Sequence, residues 1–286
     1  MANSINTNAG ALVALQNLNA TSRDLNVTQN RINTGLKVGS AKDNGAIWAI
    51  AQSQRAEMSS LNAVKESLQR GQSTIDVAMA AGSQVSDLLL QMKEKALAAS
   101  DVGLSDTNRK SLETEYQELA KQITTVVTNA SFNGVNMLKG ATAADAGSSV
   151  SALVNAKGDT QIVAGVNFQL DATGINLSAA TLFSGGADAA ANAALAKTAA
   201  TAVDTAIEYV SGKLTALGTG SKGLDNMLTF TGKLQDSLET GIGNLVDADL
   251  AKESARLQAL QTKQQLGVQA LSIANQSSGI LLGLFR

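Results

Sequence analysis

Two interleaved heptad series constrain the fold of this chain more than any other feature. Between residues 61 and 99, apolar or small residues recur every seven positions in two series that lie three residues apart. The 286-residue chain contains no proline that would interrupt a helix there. The pattern therefore predicts one long helix from about residue 57 to 100, with coiled-coil-like packing. Its members are Leu61, Leu68, Ile75, Gly82, Leu89 and Ala96, with Val64, Gly71, Ala78, Val85, Met92 and Ala99.

A second helix is predicted after a turn at Ser100–Gly103. Ser105 or Asp106 can cap its start, and it should end near Asn129. The short connection predicts that the two helices are antiparallel neighbours. The apolar face of this second helix comprises Leu112, Tyr116, Leu119, Ile123 and Val126.

The centre of the chain differs from both flanks. Residues 132–186 are rich in Gly, Asn, Thr and Ser, and β-branched or alternating segments at 161–163 and 166–170 predict short strands. A helical pattern returns from Asp188 to about Leu238. The predicted fold class is therefore mainly α, with long helices in coiled-coil-like packing and a small β-hairpin region near the centre of the chain.

Two motifs have both a functional and a structural interpretation. Gly218–Gly223 matches the G-x-G-x-x-G pattern of dinucleotide sites, but a helical segment precedes it where that fold needs a strand. A loop or a helix irregularity is the favoured interpretation. Asp247 and Asp249 could begin a metal site, but capping of the C-terminal helix is the simpler role for them. Trp48 is interpreted as a packing anchor between helices.

Both ends of the chain carry apolar stripes that resemble each other. Between the apolar positions lie Asn, Gln, Ser and Thr more often than the charges usual on coiled-coil surfaces. Uncharged amides and hydroxyls suit a face that becomes buried, so we predict that the two ends pair and pack against other copies of the chain. The predicted seam comprises Ile5, Leu12, Leu18, Leu25, Ile32, Leu250, Leu257, Leu260, Leu271, Ala274 and Leu281.

Composition excludes most chemistry. Because the chain contains no His and no Cys, it can form neither a Ser/His/Asp triad nor a zinc site of the usual kind, and no disulfide. A net charge of −2 does not suggest a nucleic-acid partner. The apolar runs are too short for a membrane span, and the first residues lack a secretory signal pattern. We therefore expect no enzyme, no cofactor and no metal.

Several segments resemble the conserved segments of bacterial flagellins. They are 31–38 with 40–44, 131–138, 245–253, and 270–276 continuing to the C-terminal Arg286. The resemblance covers roughly residues 1–140 and 200–286, and its motifs occur in the order typical of the family.

The resemblance implies a structural subunit that polymerises into the helical flagellar filament used for swimming. It implies an extracellular location reached by type III export without a cleaved signal peptide. Residues 1–45 with 243–286 would form the terminal coiled-coil domain of the inner filament core. Residues 46–242 would form a helical domain with its β-region at about 132–186, and large outer domains should be absent. The implied partners are further copies of the chain, an export chaperone, and junction and cap proteins.

Two other functions are weighed against this one. A hook-filament junction protein of the same superfamily would share the terminal helices, but the segment 129–134 fits flagellin better. A cytoplasmic coiled-coil signalling module would need heptads over nearly the whole chain, and the Gly-rich centre interrupts them here.

The resemblance also concerns recognition by a host. Many flagellins are bound by an innate Toll-like receptor through a segment similar to Leu-Gln-Arg-Met-Arg-Glu-Leu-Ala. In the matching stretch here, Gln91 and Lys93 stand where that motif has Arg, and Lys95 stands where it has Leu. Loss of planar, bidentate donors predicts weak receptor binding. The receptor-like segment comprises Leu90, Gln91, Lys93, Glu94 and Lys95.

Overall fold

The computed structural model describes residues 8–140, 149–177 and 183–283. Over these residues the chain forms five helices and one two-stranded antiparallel sheet, which confirms the mainly α prediction. The elements are α1 (Ala9–Thr34), α2 (Gly45–Ala99), α3 (Asp106–Asn129), β1 (Val150–Leu153), β2 (Thr160–Val163), α4 (Ala189–Val246) and α5 (Leu250–Gly283).

Internal contacts divide the chain into two compact units. The terminal unit comprises Met1–Met58 and Asp236–Arg286, and the central unit comprises Ser59–Gln235. Helices α2 and α4 contribute residues to both units.

The central unit buries the heptad series that the sequence displays. Every member of both series from Leu61 to Ala99 is buried. In the central unit, α2 runs antiparallel to α4, since Asn62 bonds to Gln235 at 2.8 Å while Lys93 pairs with Asp204 at 2.6 Å. The predicted long helix is thus confirmed, and it begins earlier than expected, at Gly45.

Helix α3 begins and ends near the predicted residues. Ser105 caps it by accepting a hydrogen bond from the Asn108 amide. At its other end, Asn136 donates to the carbonyls of Val127 and Thr128 at 2.8 and 3.2 Å. Its buried face includes Tyr116, Leu119 and Ile123, and Val127 is buried more fully than the predicted Val126.

Arg109 joins the end of α2 to the start of α3. Its side chain is wholly buried, and its guanidinium donates to the carbonyls of Ala99 and Asp101 at 3.0 and 2.8 Å. A third bond reaches the carboxylate of Asp106 at 3.0 Å. Sequence inspection did not identify this residue, because burial of a charged side chain depends on carbonyls that the turn brings together.

The β-region is smaller than predicted. Residues 161–163 lie in β2, which pairs with β1 in register Val150↔Val163. Residues 166–170 do not form a strand, which corrects the sequence prediction. Asn167 and Asp171 accept hydrogen bonds from nearby backbone amides, and such local turns compete with a strand ladder.

Helix α4 is continuous through Gly218–Gly223, so the predicted irregularity there is wrong. Two of these glycines instead let the hairpin approach the helix. A Cβ at Gly220 would lie 2.6 Å from a methyl carbon of Val163, and one at Gly223 would lie 3.0 Å from the side-chain nitrogen Nε2 of Gln161. With no strand before it, the motif lacks the setting of a dinucleotide loop.

Candidate assembly surface

Helices α1 and α5 pair along their length in the terminal unit. The side-chain carboxamide of Asn8 donates to the Ala274 carbonyl at 2.7 Å at one end, and Arg31 forms an ion pair with Glu253 at 3.1 Å near the other. Because residue numbers rise along α1 while those of its contacts fall along α5, the helices are antiparallel. Helices α1 and α5 thus pair with each other over their described residues.

The contact between these helices is a narrow heptad seam. Within the described parts of α1 and α5, only Thr21, Thr28, Glu253 and Leu260 are buried. The remaining seam positions are partly exposed. In α1 they are Ala11, Ala14, Leu18, Leu25 and Ile32, and in α5 they are Leu257, Gln264, Gly267, Leu271 and Ala274.

The predicted seam residues do not all lie in this seam. Leu12 is beside the seam position Ala11 and is 59% exposed. Leu250 continues the heptad series of Leu257 and Leu271 but is 49% exposed. Ile5 and the side chain of Leu281 lie outside the described residues. The predicted residues that the fold brings into the seam are Leu18, Leu25, Ile32, Leu257, Leu260, Leu271 and Ala274.

The same two helices expose large apolar side chains. Most of these residues lie outside the apolar stripes predicted from the sequence. A second heptad spacing nevertheless joins Leu266 to Ile273, and Val13 to Val27 through Ala20. We call the following residues the exposed apolar set: Leu12, Val13, Leu15, Val27, Leu250, Leu266, Val268 and Ile273.

Backbone hydrogen bonds join the inner ends of the two helices. The amides of Lys37 and Val38 donate to the Val246 carbonyl at 2.7 and 3.2 Å, and the Ala248 amide donates to the Gly35 carbonyl at 2.8 Å. Gly35 has φ of 71°, a conformation that favours glycine. Val38 and Val246 also belong to a small apolar core. Its buried members are Val38, Ala51, Ile242 and Val246, and Leu36, Ile47, Trp48 and Leu245 pack against them.

Carboxylates at this junction cap loops and helices. Asp249 accepts a hydrogen bond from the Lys252 amide, which confirms the predicted capping of α5. Asp43 accepts from the Ser40 hydroxyl and from the amides of Ser40 and Gly39. These hydrogen bonds, led by that from the Ser40 hydroxyl, hold the pKa of Asp43 below its ordinary value of 3.8.

The receptor-like segment lies on α2 in the central unit. Leu90, Gln91 and Glu94 are exposed, whereas both lysines have acidic partners within the chain. Lys93 pairs with Asp204 at 2.6 Å, and Lys95 pairs with Glu115 at 2.7 Å. The hydrogen bond to Glu115 raises the pKa of Lys95.

No group of three or more Asp, Glu, His or Cys side chains among the described residues is placed to hold a metal ion. Nor does any described helix carry a stretch long and apolar enough to cross a membrane.

Comparisons with known proteins agree on one family. The bacterial flagellin N-terminal helical region matches residues 5–143, and the flagellin C-terminal helical region matches 200–285. Flagellin FljM of Caulobacter vibrioides is 57% identical over 99% of both chains, and flagellin FljK of the same organism is 56% identical over the same shares. The Bacillus cereus flagellin crystal structure has a TM-score of 0.47 and 26% identity, covering 58% of this chain and 88% of the other. The full-length matches show that this chain belongs to the bacterial flagellin family.

Proposed function

We propose that the exposed apolar set on α1 and α5 is the surface through which the chain polymerises. As a flagellin, the chain is a structural subunit of the extracellular flagellar filament, which serves motility. The observation that carries the proposal is the exposure of large apolar side chains on both helices of the terminal unit, such as Ile273 at 68% and Leu266 at 59%. Head-to-tail contacts between identical subunits bury such a surface without closing into a ring.

The energetic balance of the helix pair supports this assignment. Full burial of a large aliphatic side chain contributes about 1.5–3 kcal/mol. Ordering the backbone of each residue costs about 1–2 kcal/mol. Leu260 is the one buried aliphatic side chain among the described parts of α1 and α5, so their seam provides little of this stabilisation. Neighbouring subunits that cover the exposed apolar set would add the missing burial.

Substitutions at Ile273 and Leu266 test the proposal. Ile273→Asp or Leu266→Asp should abolish filament growth from seeds, because an unpaired carboxylate would be buried between subunits. Ile273→Val, which keeps an apolar side chain, is the matched control and should polymerise. Circular dichroism should show unchanged helix content in all three variants. Normal filaments from both Asp variants would overturn the proposal.

The seam gives a second, distinguishable test. Leu257→Asp and Leu271→Asp should also prevent polymerisation, but by separating α1 from α5 rather than by blocking an outer face. The fluorescence of Trp48, the single Trp of the chain, reports on the terminal unit. The stability of the terminal unit should fall in the seam variants and stay constant in the Ile273→Asp variant. An equal loss of stability in the seam variants and in the Ile273→Asp variant would argue against separate roles for the seam and the exposed apolar set.

We further propose how the chain is arranged in the filament and which proteins it meets. The paired ends, predicted as residues 1–45 with 243–286, would line the inner core, and residues 46–242 would form the next shell. An export chaperone, junction proteins and a cap protein would be its partners, and type III export without a cleaved signal peptide would be its route. The absence of Cys supports passage in an unfolded form, since no disulfide can form. Electron microscopy of filaments that carry a label at Asn8 would show whether the paired ends lie in the inner core.

Weak binding to the innate receptor is proposed from the receptor-like segment. Lys93 and Lys95 form ion pairs within the chain, and Gln91 lacks the charged fork of Arg. A receptor would therefore have to compete with Asp204 and Glu115 for these cations. Gln91→Arg combined with Lys95→Leu should raise the response of receptor reporter cells to purified monomer. Activation by the unmodified chain as strong as that by an Arg-bearing flagellin would contradict the proposal.

A further inference from the structure

The turn that follows α3 contains an Asn-Gly pair in an unusual conformation. Asn133 and Gly134 have φ values of 49° and 81°, and both are exposed. They form a two-residue turn between Phe132 and Val135, whose backbones exchange hydrogen bonds of 2.9 and 3.0 Å. Positive φ at both central residues is the type I′ geometry, which Asn-Gly favours.

A second Asn-Gly pair in the chain has different surroundings. Asn44 precedes α2, and its side-chain oxygen accepts a hydrogen bond from the Ile47 amide at 3.1 Å. Its main-chain carbonyl accepts from the Trp48 amide at 3.0 Å, and Gly45 is the first residue of the helix. By contrast, no described residue forms a hydrogen bond with the Asn133 carboxamide or the Gly134 amide.

We infer that Asn133 is a site of spontaneous deamidation and that the helix cap protects Asn44 from the same reaction. The Gly134 nitrogen loses its proton and attacks Cγ of Asn133, so that a nitrogen–carbon bond forms and the bond from Cγ to Nδ2 breaks; the Nδ2 group takes up one proton and leaves as ammonia. Gly134 lacks a Cβ, and space around it is open. Water then opens the cyclic imide at either carbonyl, which gives aspartate or isoaspartate.

The products would change the local structure in two ways. Isoaspartate carries one additional backbone atom, which is incompatible with the two-residue turn between Phe132 and Val135. Either product adds a negative charge to the wall of a cavity of about 190 Å³ that Asn133 shares with Arg70. Asn136, which caps α3, lies only three residues further along the chain. The loss of the turn through isoaspartate would therefore loosen the end of α3 in ageing protein.

Peptide mass spectrometry of aged full-length monomer tests the inference. After incubation in mildly alkaline buffer, trypsin releases residues 122–139 and 43–55, which carry Asn133 and Asn44. The mass change from amide to acid, with isoaspartate present, should appear at Asn133 about tenfold faster than at Asn44, because Asn44 reacts only after the first turn of α2 opens. Equal rates in the native chain, or a faster reaction at Asn44, would overturn the inference.

Two controls separate the fold from the local sequence. In denaturant both Asn-Gly pairs should react at similar rates, since the helix cap at Asn44 is lost. A preference for Asn133 that persists in denaturant would contradict structural protection. Asn133→Gln should remove the reaction at this position, because the longer side chain closes its ring far more slowly. Persistent mass change at residue 133 in that variant would exclude the proposed cyclisation.

Discussion

The central and terminal units use the same heptad spacing with different results. In the central unit, α2 buries every member of its two series, including Leu68, Ile75 and Met92. In the terminal unit, α1 buries only Thr21 and Thr28 among its described residues and exposes Leu12 and Val13. In the central unit, α2 packs against α3, α4 and the hairpin, whereas α1 and α5 contact each other only along a narrow seam. A heptad pattern therefore identifies helices that pair, but it does not tell how much each pair buries.

Glycines show the same contrast at closer range. In the central unit, a Cβ at Gly82 would lie 2.5 Å from a methyl carbon of Leu214 and 2.9 Å from the ring of Phe168. In the terminal unit, a Cβ at Gly267 would lie 3.3 Å from the end of the Leu18 side chain. The first contact involves two packed side chains, and the second involves the tip of one flexible side chain. The packing around Gly82 is thus much closer than the packing around Gly267.

Amide hydrogen exchange of the monomer should show the largest difference between the units. Amides of α1 and α5 should exchange about a hundredfold faster than those of α2 at residues 61–99, because few buried contacts oppose local opening. Polymerisation should then protect α1 and α5. Equal protection of both units in the monomer would contradict this difference in burial.

Removal of the guanidinium groups of Arg109 and Arg31 should have the next largest effect, which is on the free energy of unfolding. Arg109→Met should lower the free energy of unfolding of the central unit by about 3 kcal/mol, because the Ala99 and Asp101 carbonyls lose a charged donor. Arg31→Met should cost the terminal unit less, about 1–2 kcal/mol, because the Arg31 side chain is 29% exposed, although the variant leaves the largely buried Glu253 carboxylate without its cation. Urea unfolding followed by far-ultraviolet circular dichroism and by Trp48 fluorescence distinguishes the two units. A larger loss for Arg31→Met would reverse the comparison.

Glycine substitutions should have smaller effects and opposite signs. Gly82→Ala should destabilise the central unit by about 1–3 kcal/mol through overpacking against Leu214 and Phe168. Gly212→Ala, on α4 with nothing within 4 Å of a new Cβ, should stabilise it by about 0.5–1 kcal/mol through helix propensity. Gly267→Ala should be neutral or stabilising in the terminal unit. Thermal unfolding measures all three, and destabilisation by Gly212→Ala would show an unrecognised requirement for glycine.

Acidification should have the smallest effect on stability, and this effect should be similar in both units. Asp43 in the terminal unit and Asp171 in the central unit each have a pKa lowered from 3.8, chiefly by hydrogen bonds from the hydroxyls of Ser40 and Thr173. Because the folded pKa is depressed, the stabilisation is present above the unfolded value and is lost as pH falls through the folded value. Carboxyl NMR titration should show both midpoints below 3.8, with Asp43→Asn and Asp171→Asn as assignment controls. A midpoint at or above 3.8 would contradict the hydrogen-bond assignments.

Sequence reasoning predicted the candidate surface only in part. It placed Leu18, Leu257 and Leu271 in a pairing seam, because spacing along one helix defines a face. It missed the exposed apolar set around Leu266 and Ile273, because a pattern of apolar residues looks the same whether or not a partner covers it. It also misjudged Gly218–Gly223, since glycine marks both helix breaks and sites of close approach.

The sequence by itself determined the mainly helical fold class, the start of α3 and the family of the chain. Heptad spacing, the Ser105 cap and the absence of proline act over a few neighbouring residues, so they can be recognised without a fold. Only the tertiary structure decided which faces remain uncovered, why Arg109 is buried and why α4 continues through Gly220. Each of these depends on atoms that are distant in the chain, such as the Ala99 carbonyl or the Val163 side chain, and that folding brings within contact distance.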